Sequence, residues 1–396
     1  MDAIQQSLID PLSRILWNYV LVYLLIGAGL WFTIRTRFVQ VRMFPQMLST
    51  MLGSRSGSEG GISSFQAFAV GLASRVGTGN IAGVAIALTL GGPGAVFWMW
   101  VVGFIGMATG FVEATLAQLY KVRWPDGSFR GGPAYYIQTG LGSRRGGILF
   151  AVLLIFTFGV AFNMVQANTI SDVLRSAHTV DQRWSALLLA VLTAPVVFGG
   201  VRRIAKVAEF VLPVFALIYV LLAVVIVLSN INAVPQVFSD IFRSAFGLDP
   251  ALAGTAGGIT AAMLNGAKRG LFSNEAGMGS APNAAATATV DHPVKQGLVQ
   301  SLGVCVDTII ICSSTALIIL VAGPSVYVPG QTADAAGASL TQTAVAASLG
   351  GWTTWLMTLL IFVFLSPPSW GTTPTPRSTL TSSVRGSARS TSSASS

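Results

Sequence analysis

The chain has 396 residues, of which 53% are hydrophobic and only 9% charged, with a formal net charge of +9. Soluble domains carry about 25% charged residues, so this composition excludes an ordinary soluble domain and points to a polytopic protein embedded in a lipid bilayer. The basic residues stand in short loops between apolar runs, the pattern of topology signals, so the positive charge does not imply a nucleic-acid partner.

A membrane-crossing helix needs about 20 predominantly apolar residues. By that measure the sequence predicts about nine spans, near 16–34, 65–90, 94–119, 148–170, 185–200, 208–229, 254–280, 297–322 and 345–365. Arg35, Arg37, Arg42 and Arg55 follow the first span, Lys121 and Arg123 the third, and Arg202, Arg203 and Lys206 the fifth. Basic loops mark the cytoplasmic side, which predicts an external N-terminus and a multi-pass protein of the cell membrane.

The second span is interrupted by Gly77-Thr78-Gly79-Asn80. Glycine weakens a helix, and a break at membrane depth is tolerated only where the freed backbone is buried in protein or lines a cavity. Unwinding here aims the amides of Thr78, Gly79 and Asn80 at a carboxylate. It also leaves the carbonyls of Ala73 and Val76 without helical partners, suited to a hard cation such as sodium. Asn80 can offer its oxygen to the cation or its amide nitrogen to the substrate. The competing reading is plain helix packing on small residues.

Late in the fourth span, Asn163 and Gln166 share a helix face, with Asn168 nearby. They either hydrogen-bond between helices or let Gln166 reach a substrate amino group. The seventh span is interrupted at Asn265-Gly266-Ala267-Lys268-Arg269-Gly270 and again at Ser273-Asn274-Glu275-Ala276-Gly277. Lys268 and Arg269 read as a helix end at the interface, and Glu275 as their ion-pair partner or a gating acid. Breaks at corresponding places in two halves point to a midplane binding site. Asp307 lies well inside the eighth span, and an intramembrane acid is a functional candidate, here a cation ligand or ion-pair partner. Glu113, in the third span, has no assigned role. Cys305 and Cys312 read as core packing, and His178 and His292 are isolated, with no metal-ligand spacing. No nucleophile–base constellation is present, so the sequence predicts no enzyme, no resident cofactor and no metal beyond a transported ion. From Ser366 the chain turns to Ser, Thr, Pro and Arg, a composition that predicts a disordered tail over 366–396.

Several of these segments resemble one family. Gly77-Thr78-Gly79-Asn80-Ile81-Ala82-Gly83-Val84, Gly270-Leu271-Phe272-Ser273-Asn274-Glu275-Ala276-Gly277 with Gly279-Ser280-Ala281-Pro282, Gly131-Gly132-Pro133-Ala134-Tyr135-Tyr136 and Asn163-Met164-Val165-Gln166 are similar to the signatures of the alanine/glycine:cation symporters (sodium:alanine symporters). The resemblance covers roughly residues 10–365. It implies an all-α transporter of the leucine-transporter type: a five-plus-five inverted repeat with one extra N-terminal helix. On that pattern residues 1–60 hold the extra helix and a basic loop, and 61–365 the core, with a first repeat at about 61–232 and a partial second repeat at about 250–365. It further implies sodium- or proton-coupled uptake of alanine or glycine. The Thr78–Asn80 backbone would hold the substrate carboxylate, and Gln166 with Phe272, Ser273 and Asn274 would line the amine and side-chain pocket. Ala73, Val76 and Asn80 would be cation ligands.

The resemblance stops where the family continues with a polar Gly-Asn-Tyr motif and further helices. Here stands Trp370-Gly371-Thr372-Thr373-Pro374-Thr375-Pro376-Arg377-Ser378-Thr379. Joining the third base of each codon to the first two of the next allows Gly-Asn-Tyr-Ala-Tyr-Ala-Glu-Val-Asn, the family motif. Residues from about 365 are therefore expected to be out of frame, the last core helices missing, and the chain as given an incomplete, inactive fragment. The alternatives are a proton-coupled carrier of another small amino acid and a non-transporting sensor or binding remnant.

Overall fold

A computed structural model describes residues 5–53, 62–125, 127–197, 200–248, 258–329 and 337–371. The tail beyond Gly371 lies outside the described residues. The fold is helical throughout, apart from a two-stranded ribbon pairing β1 (Val122–Arg123) with β2 (Phe129–Arg130).

The helices follow the hydropathy pattern in chain order: α1 (Gln5–Arg35), the short α2 (Val39–Arg42) and α3 (Phe44–Gly53), then α4 (Ser64–Arg75), α5 (Gly79–Gly91) and α6 (Gly94–Leu119). After the ribbon come α7 (Pro133–Gly140), α8 (Arg144–His178), α9 (Gln182–Val197), α10 (Gly200–Ser229) and α11 (Val234–Ala245). The second half holds α12 (Gly258–Asn274), α13 (Ala281–Ala286), α14 (Pro293–Val321), α15 (Gly337–Leu349) and α16 (Thr353–Gly371). Among the described residues, five helices are long and apolar enough to cross a membrane: α1, α6, α8, α14 and Val207–Ser229 within α10.

The single span expected at 345–365 is instead the end of α15 and the body of α16. They part at Gly350, whose φ of +95° lies in the region that glycine alone adopts without strain. The Gly-rich segment 127–147 holds α7 and the first turn of α8.

α6 is the central post. α12 and α14 pack along it, and the small residues permit the approach. A Cβ on Gly266 would stand 2.3 Å from the Ala95 carbonyl oxygen, and one on Gly103 would stand 2.7 Å from Thr308. Gly266 and Gly270 are therefore contact points, and the interruption expected at 265–270 is absent: α12 winds without a break through Asn265–Gly270. Lys268 and Arg269 accordingly sit inside a helix rather than at its end.

Two interruptions are real. α4 starts with a reciprocal cap, in which Ser63 Oγ accepts from Gln66 N and Gln66 Oε1 accepts from Ser63 N, each at 3.1 Å. It ends at Val76, whose ψ of 104° is extended. α5 then opens with a widened π-type turn over Gly79–Gly83. The second interruption separates α12 from α13 through Glu275 (φ 54°), Gly277 (φ +88°) and Gly279 (φ +83°). The start of the first broken helix and the end of the second are stitched together: Ile62 N donates to Thr287 O (3.3 Å), and Thr289 N donates to Ile62 O (3.1 Å). Gln118 and Lys121, at the end of α6, both donate to the Ala288 carbonyl.

Candidate functional site

The two interruptions face each other. A Cβ on Gly79 would meet the Ser273 Cα at 2.8 Å, so only glycine lets the first break lie against the last turn of α12. Thr78, Gly79, Asn80, Gln166, Ser273 and Asp307 are all buried, and they converge here.

At the first break the amides that would have continued α4 are turned elsewhere. Gly77 N donates to Asn80 Oδ1 (2.9 Å), and Thr78 N donates to Gln166 Oε1 (3.0 Å). The carbonyls of Ala73 and Ser74 thereby lose the donors four residues on. Thr78 Oγ1 also donates to Gln166 Oε1. Of the three amides expected to form a carboxylate cradle, Thr78 N meets a side-chain oxygen, while Asn80 N turns back to Gly77 O (3.2 Å).

Asn80 joins the first break to α14. Its Nδ2 donates to Asp307 Oδ1 (2.7 Å) and to the Asp307 carbonyl (3.2 Å). Asp307 Oδ2 accepts from Ser273 Oγ (2.9 Å) and from Thr308 Oγ1 (3.0 Å). One carboxylate thus ties both broken helices together. It lies on a widened π-type stretch, Cys305–Cys312, of the kind often found at functional sites. No Lys or Arg forms an ion pair with it among the described residues. Cys312 is more than core packing: its Sγ lies 3.3 Å from Asn80 Nδ2 and 3.2 Å from Ser273 Oγ.

The polar trio of α8 separates. Gln166 reaches the break, Asn163 Nδ2 donates back to Gly159 O on its own helix (3.1 Å), and Asn168 donates to the exposed Asp172 (3.1 Å). Phe272 is half-buried and stacks on Phe162 with ring centroids 5.1 Å apart, next to Phe158. Asn274 closes the second break, accepting from Ala276 N at 3.0 Å. It is adjacent to the meeting point rather than part of its hydrogen-bond network.

The pairing of Glu275 with Lys268 or Arg269 does not occur. Glu275 Oε2 accepts from Ser280 Oγ and from Ser74 Oγ (3.4 Å), and the charge it faces is Arg75. Arg75 went unnoticed in the sequence. It is 2% exposed, at the C-terminal end of α4, where a cation complements the helix dipole. Its Nη1 donates to Gln300 O (3.4 Å). Glu113, from α6, accepts from Gly277 N (3.0 Å) and so holds the second break open from the side. An arginine flanking a glycine-rich break in an apolar run was the available signal.

The family model described as the sodium:alanine symporter family matches residues 1–368. The chain is 52% identical over 365 residues to the amino-acid carrier protein AlsT of Bacillus subtilis (strain 168), covering 92% of this chain and 76% of that protein. It is 47% identical over 365 residues to the probable sodium/glutamine symporter GlnT of the same organism (92% and 74%). It is 42% identical over 342 residues to the sodium/alanine symporter AgcS of Methanococcus maripaludis (85% and 74%). The chain belongs to the sodium:alanine symporter family, as a multi-pass transporter of the cell membrane and not an enzyme.

Proposed function

We propose that the in-frame form of this carrier moves alanine or glycine together with sodium by alternating access, binding both between the two helix interruptions, and that the chain as given, its last core helices out of frame, is inactive. The meeting of Gly79 with Ser273 supports the reading best, because it brings the freed backbone of the first break against the last turn of α12 at one buried point. Thr78 N and Oγ1, both spent on Gln166 Oε1 here, are donors that a substrate carboxylate would take over. Gln166 would then turn its oxygen to the ammonium group. The aromatic wall of Phe162 and Phe272, with Ser273 and Asn274 behind it, would bound the small side chain. Ala73 and Val76 carbonyls, Asn80 and Asp307 would supply the hard oxygen ligands that a sodium ion prefers.

In this reading the core is of the five-plus-five inverted-repeat type, with a first repeat at about 61–232 and a partial second repeat at about 250–365, and transport is the rocking of one bundle against the other around a fixed site. Residues from about 366 onward belong to a shifted reading frame. Resequencing codons 360–400 tests this, and a gene with no frame change against its relatives removes it.

Counterflow of labelled alanine in proteoliposomes, run on the frame-restored carrier, tests the function. Sodium-dependent exchange, competed by glycine, is expected. Exchange that is undiminished when sodium is replaced would overturn sodium coupling in favour of a proton. Tight alanine binding without any exchange would identify a binding remnant.

A further inference from the structure

Beside the meeting point lies a cluster of charged side chains, Arg75, Glu275 and Asp307 buried and Glu113 half-buried, in which the transport reading gives a role to Asp307 alone. Arg75, from α4, lies within electrostatic range of Glu275 in the second break, Glu113 on α6 and Asp307 on α14. With every group ionised, one guanidinium faces three carboxylates, two negative charges in excess. Tyr136 of α7 is the other titratable side chain near Glu113, and it adds no positive charge. A sodium ion at Asp307 would remove one of the two excess charges. Burying the other without compensation is expensive.

The hydrogen bonds distinguish which acid is left over. Asp307 accepts from Asn80, Ser273 and Thr308. Glu113 accepts from a backbone amide, a donor that suits a carboxylate. Glu275 is fully buried; among the described residues its Oε2 meets only the hydroxyls of Ser280 and Ser74, and its Oε1 meets no hydrogen-bond partner. Arg75 Nε is likewise buried with no hydrogen-bond partner among the described residues, and the two side chains form no ion pair with each other. An anionic oxygen in that position lacks any donor. A neutral carboxylic acid does not carry that penalty, and serine hydroxyls accept as readily as they donate, so the same two contacts serve the protonated group.

We propose that Glu275 is a proton-binding site of the carrier, taking one proton from water onto its carboxylate when the two broken helices close around the site and returning it when they part. The proposal rests on the transport reading for its consequence, since the proton would make the closed state depend on pH alongside sodium. It does not depend on that reading for its chemistry.

Infrared spectroscopy of the purified chain in lipid tests the chemistry directly. A carbonyl band from a buried protonated carboxyl is expected in the wild type and lost in Glu275→Gln. Identical spectra of the two proteins in that region would overturn the proposal. If Glu275→Gln does not fold, Glu275→Asp takes its place: a displaced band supports the proposal and an unmoved one refutes it. Sodium-driven alanine uptake against pH is the second measurement. Glu275→Gln should flatten the profile, whereas a profile superimposable on the wild type counts against the site. Absence of uptake by the wild type would fail the transport reading alone and leave the infrared result to decide on Glu275.

Discussion

Two glycine-bearing polar runs in this chain read alike and behave in opposite ways. Gly77-Thr78-Gly79-Asn80 opens the helix, whereas Asn265-Gly266-Ala267-Lys268-Arg269-Gly270 stays wound. Glycine content does not separate them. At the first run each redirected amide has a replacement acceptor ready, Asn80 Oδ1 for Gly77 and Gln166 Oε1 for Thr78. At the second, Asn265 Nδ2 merely donates to the Ala261 carbonyl one turn back (3.0 Å), and Gly266 is pressed against the backbone of α6. A buried helix opens where side chains can take over its backbone hydrogen bonds, because an unpaired buried amide costs about 1–3 kcal/mol.

Four substitutions test that contrast. Gly79→Leu should have the largest effect on binding, because the added carbons would collide with Ser273 backbone. Alanine affinity measured by scintillation proximity should fall by at least about 100-fold, an amount comparable to the upper end of overpacking penalties of about 1–3 kcal/mol. An unaltered affinity would remove the meeting point from the site. Gly266→Leu should cost stability of similar size, about 1–3 kcal/mol, seen as a lower melting temperature in detergent. The sodium dependence of the surviving folded fraction should be unchanged. A selective loss of sodium dependence instead would mean that this run is part of the site after all.

Asn80→Ala removes both the Gly77 acceptor and the donor to Asp307. It should weaken sodium dependence about tenfold, in line with about 1–3 kcal/mol for a buried group left unpaired, and an unchanged sodium titration would strike Asn80 from the cation ligands. Ser273→Ala loses one hydroxyl donor to Asp307. A shift of about fivefold in sodium affinity is expected from about 1 kcal/mol for one hydrogen bond, and no shift would mean that Asp307 is held well enough by Asn80 and Thr308.

The helical class and most spans were legible, because hydropathy is what a bilayer selects. The first break was legible because Asn80 stands beside the glycines that need it. The winding of 265–270 was not: small residues look the same whether they loosen a backbone or let two helices touch, and Ala95, which decides the matter, is far away in the chain. Arg75 was missed for the same reason. The acids around it, Glu275, Asp307 and Glu113, come from distant parts of the chain, and nothing adjacent to it announces them. Gln166 was singled out in the sequence, but its pairing with Thr78 was not, because it joins two helices whose adjacency no local pattern announces.

The small stitch between Ile62 and residues 287–289 has a consequence for motion. It fastens the first turn of α4 to the tail of α13, and α6 grips the same spot through Gln118 and Lys121. Any swing that parts these two short rods must first unzip a pair of main-chain bonds, at about 0.5–1.5 kcal/mol each. The door on that side therefore has a latch, and the two rods move as a single leaf until it is released.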